Sequence, residues 1–296
     1  MLKIFTLFFS VLFITNVNAK ELNIITSFSI LEDITTNITK NKAKVISIVP
    51  WNSEPHGYNL TPQNLKDIEK SDLIILNGLG FEGYLNRLVN KKNSNKIVIA
   101  SDNISTLEME HSYHNEHEHH HGHTDPHAWQ NPLNIVIYVQ NITNKLCKID
   151  SENCNFYKDN SSIYIEKLKE IDKKYINLFS NLKSKNKIII TTHKALDYLS
   201  HRYDVMILSP YDLNNKNISA KHMASLSRII KEKKITSIFA EYNANNQILN
   251  EFTKKNNLQI EETLFTDNLS KETQNCSTYL DFITHNLEVI YKSLTK

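Results

Sequence analysis

The sequence predicts an α/β protein of two similar lobes, each built on a parallel sheet, joined by one long rigid helix. Short β-rich runs alternate with helix-period stretches in the first half, the alternation returns in the second half, and the intervening stretch 155–182 lacks glycine and proline. In the first half, strands are expected at 22–27, 44–49, 73–77 and 96–100, with helices at 30–40, 61–70 and 81–91 between them. That order implies βαβ units and parallel pairing. In the second half, strands are expected at 187–191, 204–208, 236–240 and 259–264, and helices at 194–202, 219–233, 245–255 and 274–294. Within 155–182, Leu168, Ile171, Tyr175 and Leu178 line one helix face. Such a helix would span roughly 40 Å at about 1.5 Å per residue. A connecting strut is the natural reading, with a long helix confined to one lobe as the alternative. The resulting division is an N-terminal lobe over 20–152, a connecting helix over 153–182 and a C-terminal lobe over 183–296.

Residues 1–19 read as a secretory signal peptide, with Lys3 as the positive region, an apolar run over 4–15 and the small-residue pattern Val17-Asn18-Ala19. The run is shorter than the roughly 20 apolar residues that a spanning helix needs. A soluble mature protein starting at Lys20 and released into the periplasm is therefore expected. No cysteine follows the cleavage pattern, so nothing here supports a lipid anchor. Removing 19 residues from 296 leaves 277, enough for two domains of similar size. The 34 basic and 32 acidic residues nearly balance, and no basic stripe interleaves with aromatics, so nucleic acid is not an expected partner. A monomer is expected. Three cysteines, Cys147, Cys154 and Cys276, are too few for a disulfide scaffold. A Cys147–Cys154 bridge is left open, since an oxidising compartment permits it.

One stretch, 111–123, is of low complexity. Its seven histidines, His111, His114, His117, His119, His120, His121 and His123, are separated by polar residues that cannot build a core. A mobile loop offering weak, multiple metal sites is expected, against the alternative of a merely solvated insertion.

Three further histidines occupy constrained positions. His56 lies in Trp51-Asn-Ser-Glu-Pro-His-Gly-Tyr58, just after a predicted strand, where proline and glycine make a tight turn. His127 lies in Asp125-Pro-His-Ala-Trp-Gln-Asn-Pro132, bracketed by two prolines, with Trp129 placed to exclude water. His193 directly follows a predicted strand, at the strand end that α/β folds use for ligands. Asp267 holds the equivalent place after Leu264-Phe265, and Glu241 follows the strand ending at Ala240. Taken singly, each acid reads as readily as a helix cap or a solvated carboxylate. Taken together, two ligands come from each lobe, beside the gap between them.

At these residues the chain resembles the zinc/manganese class of solute-binding proteins that serve ABC-type metal importers. Pro55-His56-Gly-Tyr58, Thr61-Pro62, Lys70-Ser-Asp-Leu-Ile-Ile-Leu-Asn77 and Gly78-Leu-Gly-Phe-Glu-Gly-Tyr84 are similar to the first-lobe signature of that family. Asp125-Pro-His-Ala-Trp129, after a histidine-rich loop, resembles its second-ligand motif. The resemblance spans nearly the whole mature chain. It implies a metal site at the lobe interface with His56, His127 and His193 as ligands and Asp267 in the acidic fourth position. Glu54 and Glu241 are substitute fourth ligands or outer partners. The implied role is capture of Zn(II), as transported ligand, and its delivery to an ABC-type membrane permease. Asn59 stands where the family commonly has an acid and Asn131 where it has an aspartate, so the bonds behind the imidazoles are expected to differ, and Asn268 follows Asp267 where a small residue is more usual.

Three imidazoles and one carboxylate suit tetrahedral zinc, whereas manganese prefers more oxygen ligands. A manganese-binding member of the same family is the nearest rival, with His193 as the discriminating residue. A zinc hydrolase would need an open coordination position and a base such as Glu241. Four protein ligands leave no obvious place for an activated water, so no enzyme is expected. A surface adhesin is the remaining alternative, and the missing anchor cysteine argues against it.

Overall fold

The computed structural model describes residues 21–85, 94–108, 124–182, 187–210, 220–270 and 276–296. The signal segment, the histidine-rich stretch 111–123, most of the expected helix 81–91 and the first residues of the expected helix 274–294 fall wholly or partly outside these.

β1 (Leu22–Thr26), β2 (Ala43–Ser47), β3 (Leu73–Leu76) and β4 (Ile97–Ile99) form a parallel sheet in the order β2-β1-β3-β4. The central strand β3, Leu-Ile-Ile-Leu, is buried throughout because helices cover both faces of a parallel sheet, whereas the edge strand β2 alternates. α1 (Ser29–Thr39) and α2 (Pro62–Lys70) make the crossovers. α2 starts where Thr61 accepts from the Asn64 backbone N–H and Pro62 occupies the first turn. The helix expected from residue 81 is replaced at its start by a 3-10 turn, Gly83–Leu85. Here the Glu82 carboxylate accepts the backbone N–H groups of Asn77 (2.5 Å) and Gly78 (3.0 Å). Gly78 has φ +88° and no room for a side chain, since a Cβ would meet Ile99 at 2.4 Å.

α3 (Pro132–Ile149) ends the first half, and α4 (Cys154–Ser180) runs across to the second. Its buried stripe is Tyr157, Ser161, Tyr164, Leu168, Asp172, Tyr175 and Phe179. Ile171 and Leu178, expected on that stripe, flank it half-buried. α4 packs against α1 and α3 on one side and against α5 (Asp197–Tyr203) and α8 (Tyr279–Leu294) on the other. Arg202 of α5 forks onto Asp172 at 2.7 and 2.5 Å.

The second lobe pairs β5 (Ile188–Ile190) with β6 (Met206–Leu208) and β7 (Phe239–Glu241) with β8 (Glu262–Leu264), all parallel. An Ile190–Ile238 bridge joins the two pairs. α6 (Ala220–Lys233) and α7 (Gln247–Asn256) complete it. These strands are shorter than expected; β7 starts only at Phe239, because Ile238 contributes just a bridge, and ends one residue past the expected end. One apolar core runs without a break from the first sheet through Trp129 and α4 to Phe265, Tyr279 and Phe282, so the lobes share packing rather than merely touching.

Cys147 and Cys154 form a disulfide that pins the end of α3 to the start of α4, and Cys276 is buried and unbonded. Closing so short a loop should stabilise the fold by about 2.5 kcal/mol. A thermal melt with and without reductant is expected to register that loss, with metal affinity unchanged. Among the described residues no helix is long and apolar enough to cross a membrane.

Candidate metal centre

Parallel pairing puts the carboxyl ends of the strands on one side of each sheet. The loop after β2 carries His56, the loop after β5 carries His193, the segment after β8 carries Asp267, and His127 precedes α3 in a turn fixed by Pro126. The structure brings these four together: one ligand atom from each lies within 4.8 Å of all the others. His56 Nε2 is 3.2 Å from His127 Nε2 and 3.6 Å from Asp267 Oδ2. His127 Nε2 is 3.5 Å from Asp267 Oδ1, and His193 Nε2 is 3.5 Å from Asp267 Oδ2. Ligands held about 2.0–2.2 Å from a tetrahedral ion are separated by about 3.3–3.6 Å. His193 Nε2 and Asp267 Oδ1 are buried without a hydrogen-bond partner among the described residues. Such orphaned atoms are rare and costly unless an ion or water completes them.

Two carboxylates stand behind the imidazoles. Asp125 Oδ1 accepts the His127 backbone N–H at 2.9 Å and lies 2.7 Å from its Nδ1. Glu241 repeats the device, accepting the His193 backbone N–H at 2.8 Å while its other oxygen contacts His193 Nδ1. Each arrangement holds the proton on Nδ1 and turns Nε2 toward the cluster. Glu241→Gln and Asp125→Asn should each weaken metal binding about 10- to 100-fold. Chelator competition on the folded variants checks this. Glu54 sits differently: its carboxylate accepts the His56 backbone N–H at 2.9 Å and does not bond the ring. Glu241 and Glu54 therefore lie outside the cluster that Asp267 completes.

The charges answer one another. Burial pulls His193 down, but the facing Glu241, with Asp267 and Glu54, outweighs it and pushes the imidazole up to about 10. His56 is likewise raised, because Asp267 and Glu54 outweigh the burial that lowers it. Burial raises Asp267, yet the three histidines overcome it and hold the carboxyl well below its usual range.

Several supporting residues were not legible as such. Trp129 Nε1 and Gln130 Nε2 both donate to the Thr266 carbonyl, at 2.6 and 2.8 Å, tying the His127 turn to the residue before Asp267. Asn77 donates to the Pro126 carbonyl at 3.0 Å and accepts from the Tyr138 hydroxyl at 2.5 Å. Asn131, expected to disturb the bonds behind the imidazoles, instead caps α3 by accepting the Leu133 N–H at 2.9 Å. Asn59 is exposed.

Two α/β lobes with three histidines and an aspartate converging between them define a metal-binding protein of the extracytoplasmic solute-binding class. The comparisons agree: the chain belongs to the family described as ZnuA, zinc-uptake complex component A, periplasmic, whose model matches residues 24–293. This is a family of ABC-transporter solute-binding proteins rather than enzymes, and a membrane permease is its implied partner. The chain is 31% identical over 285 residues to a metal ABC transporter substrate-binding lipoprotein of Lactococcus lactis, covering 95% of this chain and 90% of that one. It is 30% identical over 289 residues to the manganese ABC transporter substrate-binding lipoprotein PsaA of Streptococcus pneumoniae, covering 94% and 91%. A periplasmic metal binding protein from Candidatus Liberibacter asiaticus superposes with a TM-score of 0.81 at 28% identity, covering 93% of this chain and all of that one. The periplasmic zinc binding protein TroA from Treponema pallidum shares the fold, with a TM-score of 0.82 at 21% identity over 93% and 99% of the two chains.

Proposed function

We propose that this metal ABC transporter substrate-binding protein captures Zn(II) through His56, His127, His193 and Asp267 and hands it to its membrane permease. The observation that carries the reading is that His193 Nε2 and Asp267 Oδ1 are buried with no hydrogen-bond partner among the described residues, while Asp267 oxygens stand 3.5 Å from His127 Nε2 and from His193 Nε2. Three nitrogens and one carboxylate favour a four-coordinate d¹⁰ ion, and affinity at such a site rises from manganese to zinc. Manganese uptake is the second reading, favoured by manganese-linked relatives such as PsaA of Streptococcus pneumoniae. Asp267 could serve it by offering both oxygens, each within 3.6 Å of an imidazole nitrogen.

The protein acts as a monomer, exported by the signal peptide 1–19, with lobes 20–152 and 183–296 joined through 153–182. The shared core and the long helix suit a small motion on release. The histidine-rich stretch 111–123 adds weaker zinc sites that feed the main one or respond to excess. Competition against chelators, on the mature chain with and without residues 111–123, tests the whole reading. One tight zinc site in both forms, with fewer weak equivalents after deletion, is the expected result. Tighter manganese than zinc, or loss of the tight site with the deletion, would overturn it.

A further inference from the structure

The four side chains of the centre are not held alike. The His56 side chain is 39% exposed, against 14% for His193, 7% for His127 and 5% for Asp267. The route between a bound ion and solvent therefore passes His56. His127 and His193 are each fixed at backbone and ring by one carboxylate, and the Asp267 segment is fixed by two donors to Thr266. Among the described residues, no hydrogen bond reaches His56 Nδ1, and its backbone N–H is held only by Glu54 of the same loop.

That loop is a short strap. It turns through Asn52 at φ +60°, a left-handed conformation that asparagine tolerates, and closes on itself with Ser53 N–H to Pro50 O at 3.1 Å and Tyr58 N–H to Pro55 O at 3.3 Å. Trp51 Nε1 donates to Glu32 at 2.7 Å and the Tyr58 hydroxyl to Asn64 at 3.2 Å, both within the first lobe. Across the gap, the Tyr242 hydroxyl donates to Asn52 Oδ1 at 2.9 Å. Tyr242 is well founded on the other side. It follows Glu241, its backbone N–H donates to Leu264 O at 2.8 Å, and its ring packs on Phe265 at 4.8 Å.

We infer that Tyr242 is a positioning residue that latches the His56-bearing loop across the gap, so that a captured ion leaves past His56 at a rate set by the Tyr242–Asn52 hydrogen bond. This rests on the ligand assignment proposed above. The three tightly held ligands keep their geometry while the strap opens, so the latch governs departure rather than the identity of the ion. Losing one net hydrogen bond should speed release about fivefold.

The test uses the full chain loaded with less than one equivalent of zinc, with release followed by rapid mixing with excess chelator. Tyr242→Phe, which keeps the ring on Phe265, and Asn52→Ala should each accelerate release about fivefold, and the double variant no further, because both remove the same bond. Association rates and the ligand-field spectrum of the cobalt(II) forms should stay as in the parent. Unchanged release in both single variants, multiplicative effects in the double, or an altered cobalt spectrum would overturn the latch. His193→Ala separates the two levels of the argument. Tight binding retained there would overturn the ligand assignment itself, whereas its loss beside unchanged release in Tyr242→Phe would overturn only the latch.

Discussion

Replacing His193 with alanine is expected to weaken zinc binding at least about a hundredfold, with the fold intact. Four-ligand zinc sites bind with about 10–16 kcal/mol, so one ligand accounts for roughly 3 kcal/mol, or about two powers of ten. The loss should exceed that of an exposed ligand, because Glu241 would be left buried without the imidazole it faces. His193→Glu asks the selectivity question directly. It exchanges a nitrogen for oxygen, and relative affinity should move toward manganese. Competition titrations with both metals on parent and variants check these outcomes.

The second large effect is with pH. In the metal-free protein His193 is pushed up to about 10, so it carries a proton at neutrality that an ion must displace from Nε2. Zinc affinity should therefore climb about tenfold per pH unit from pH 7 toward 10, rather than level off near the usual histidine value of about 6.5. Toward acid the fall should steepen, since His56 is also raised and adds a second proton to displace. The linkage runs the other way for the metal-free fold. A histidine raised on folding stabilises most fully below its unfolded value, and that contribution is lost as pH rises through the folded value. Calorimetry in buffers of different ionisation heat should show at least one proton released per zinc at pH 7.5. Release of none would mean that His193 is neutral before binding.

Much of the architecture was readable from local signals. Apolar runs such as Leu73-Ile-Ile-Leu76 become buried parallel strands, and a stretch without glycine or proline becomes α4. The converging side chains were readable because each sits in a proline- or glycine-bracketed turn or just past a strand. What escaped depends on contacts between distant segments. The role of Asp125 was hidden because a carboxylate beside a histidine in sequence need not face its ring. Asn131 has the composition of an outer partner but the position of a helix cap, and the cap wins. Trp129 and Gln130 meet Thr266 from more than 130 positions away, and Tyr242 meets Asn52 from 190. No periodicity reports such pairings. The second-lobe strands came out short because backbone pairing there is partly reduced to a bridge, which propensity along one strand cannot reveal.

The most direct measurement is a crystal structure of the full chain carrying one equivalent of zinc, with the ion located by its anomalous signal. The account predicts one fully occupied peak within about 2.0–2.2 Å of the Nε2 atoms of His56, His127 and His193 and of an Asp267 oxygen, in four-coordinate geometry. A principal peak elsewhere, or a six-coordinate ion ligated mainly by oxygen, would contradict it.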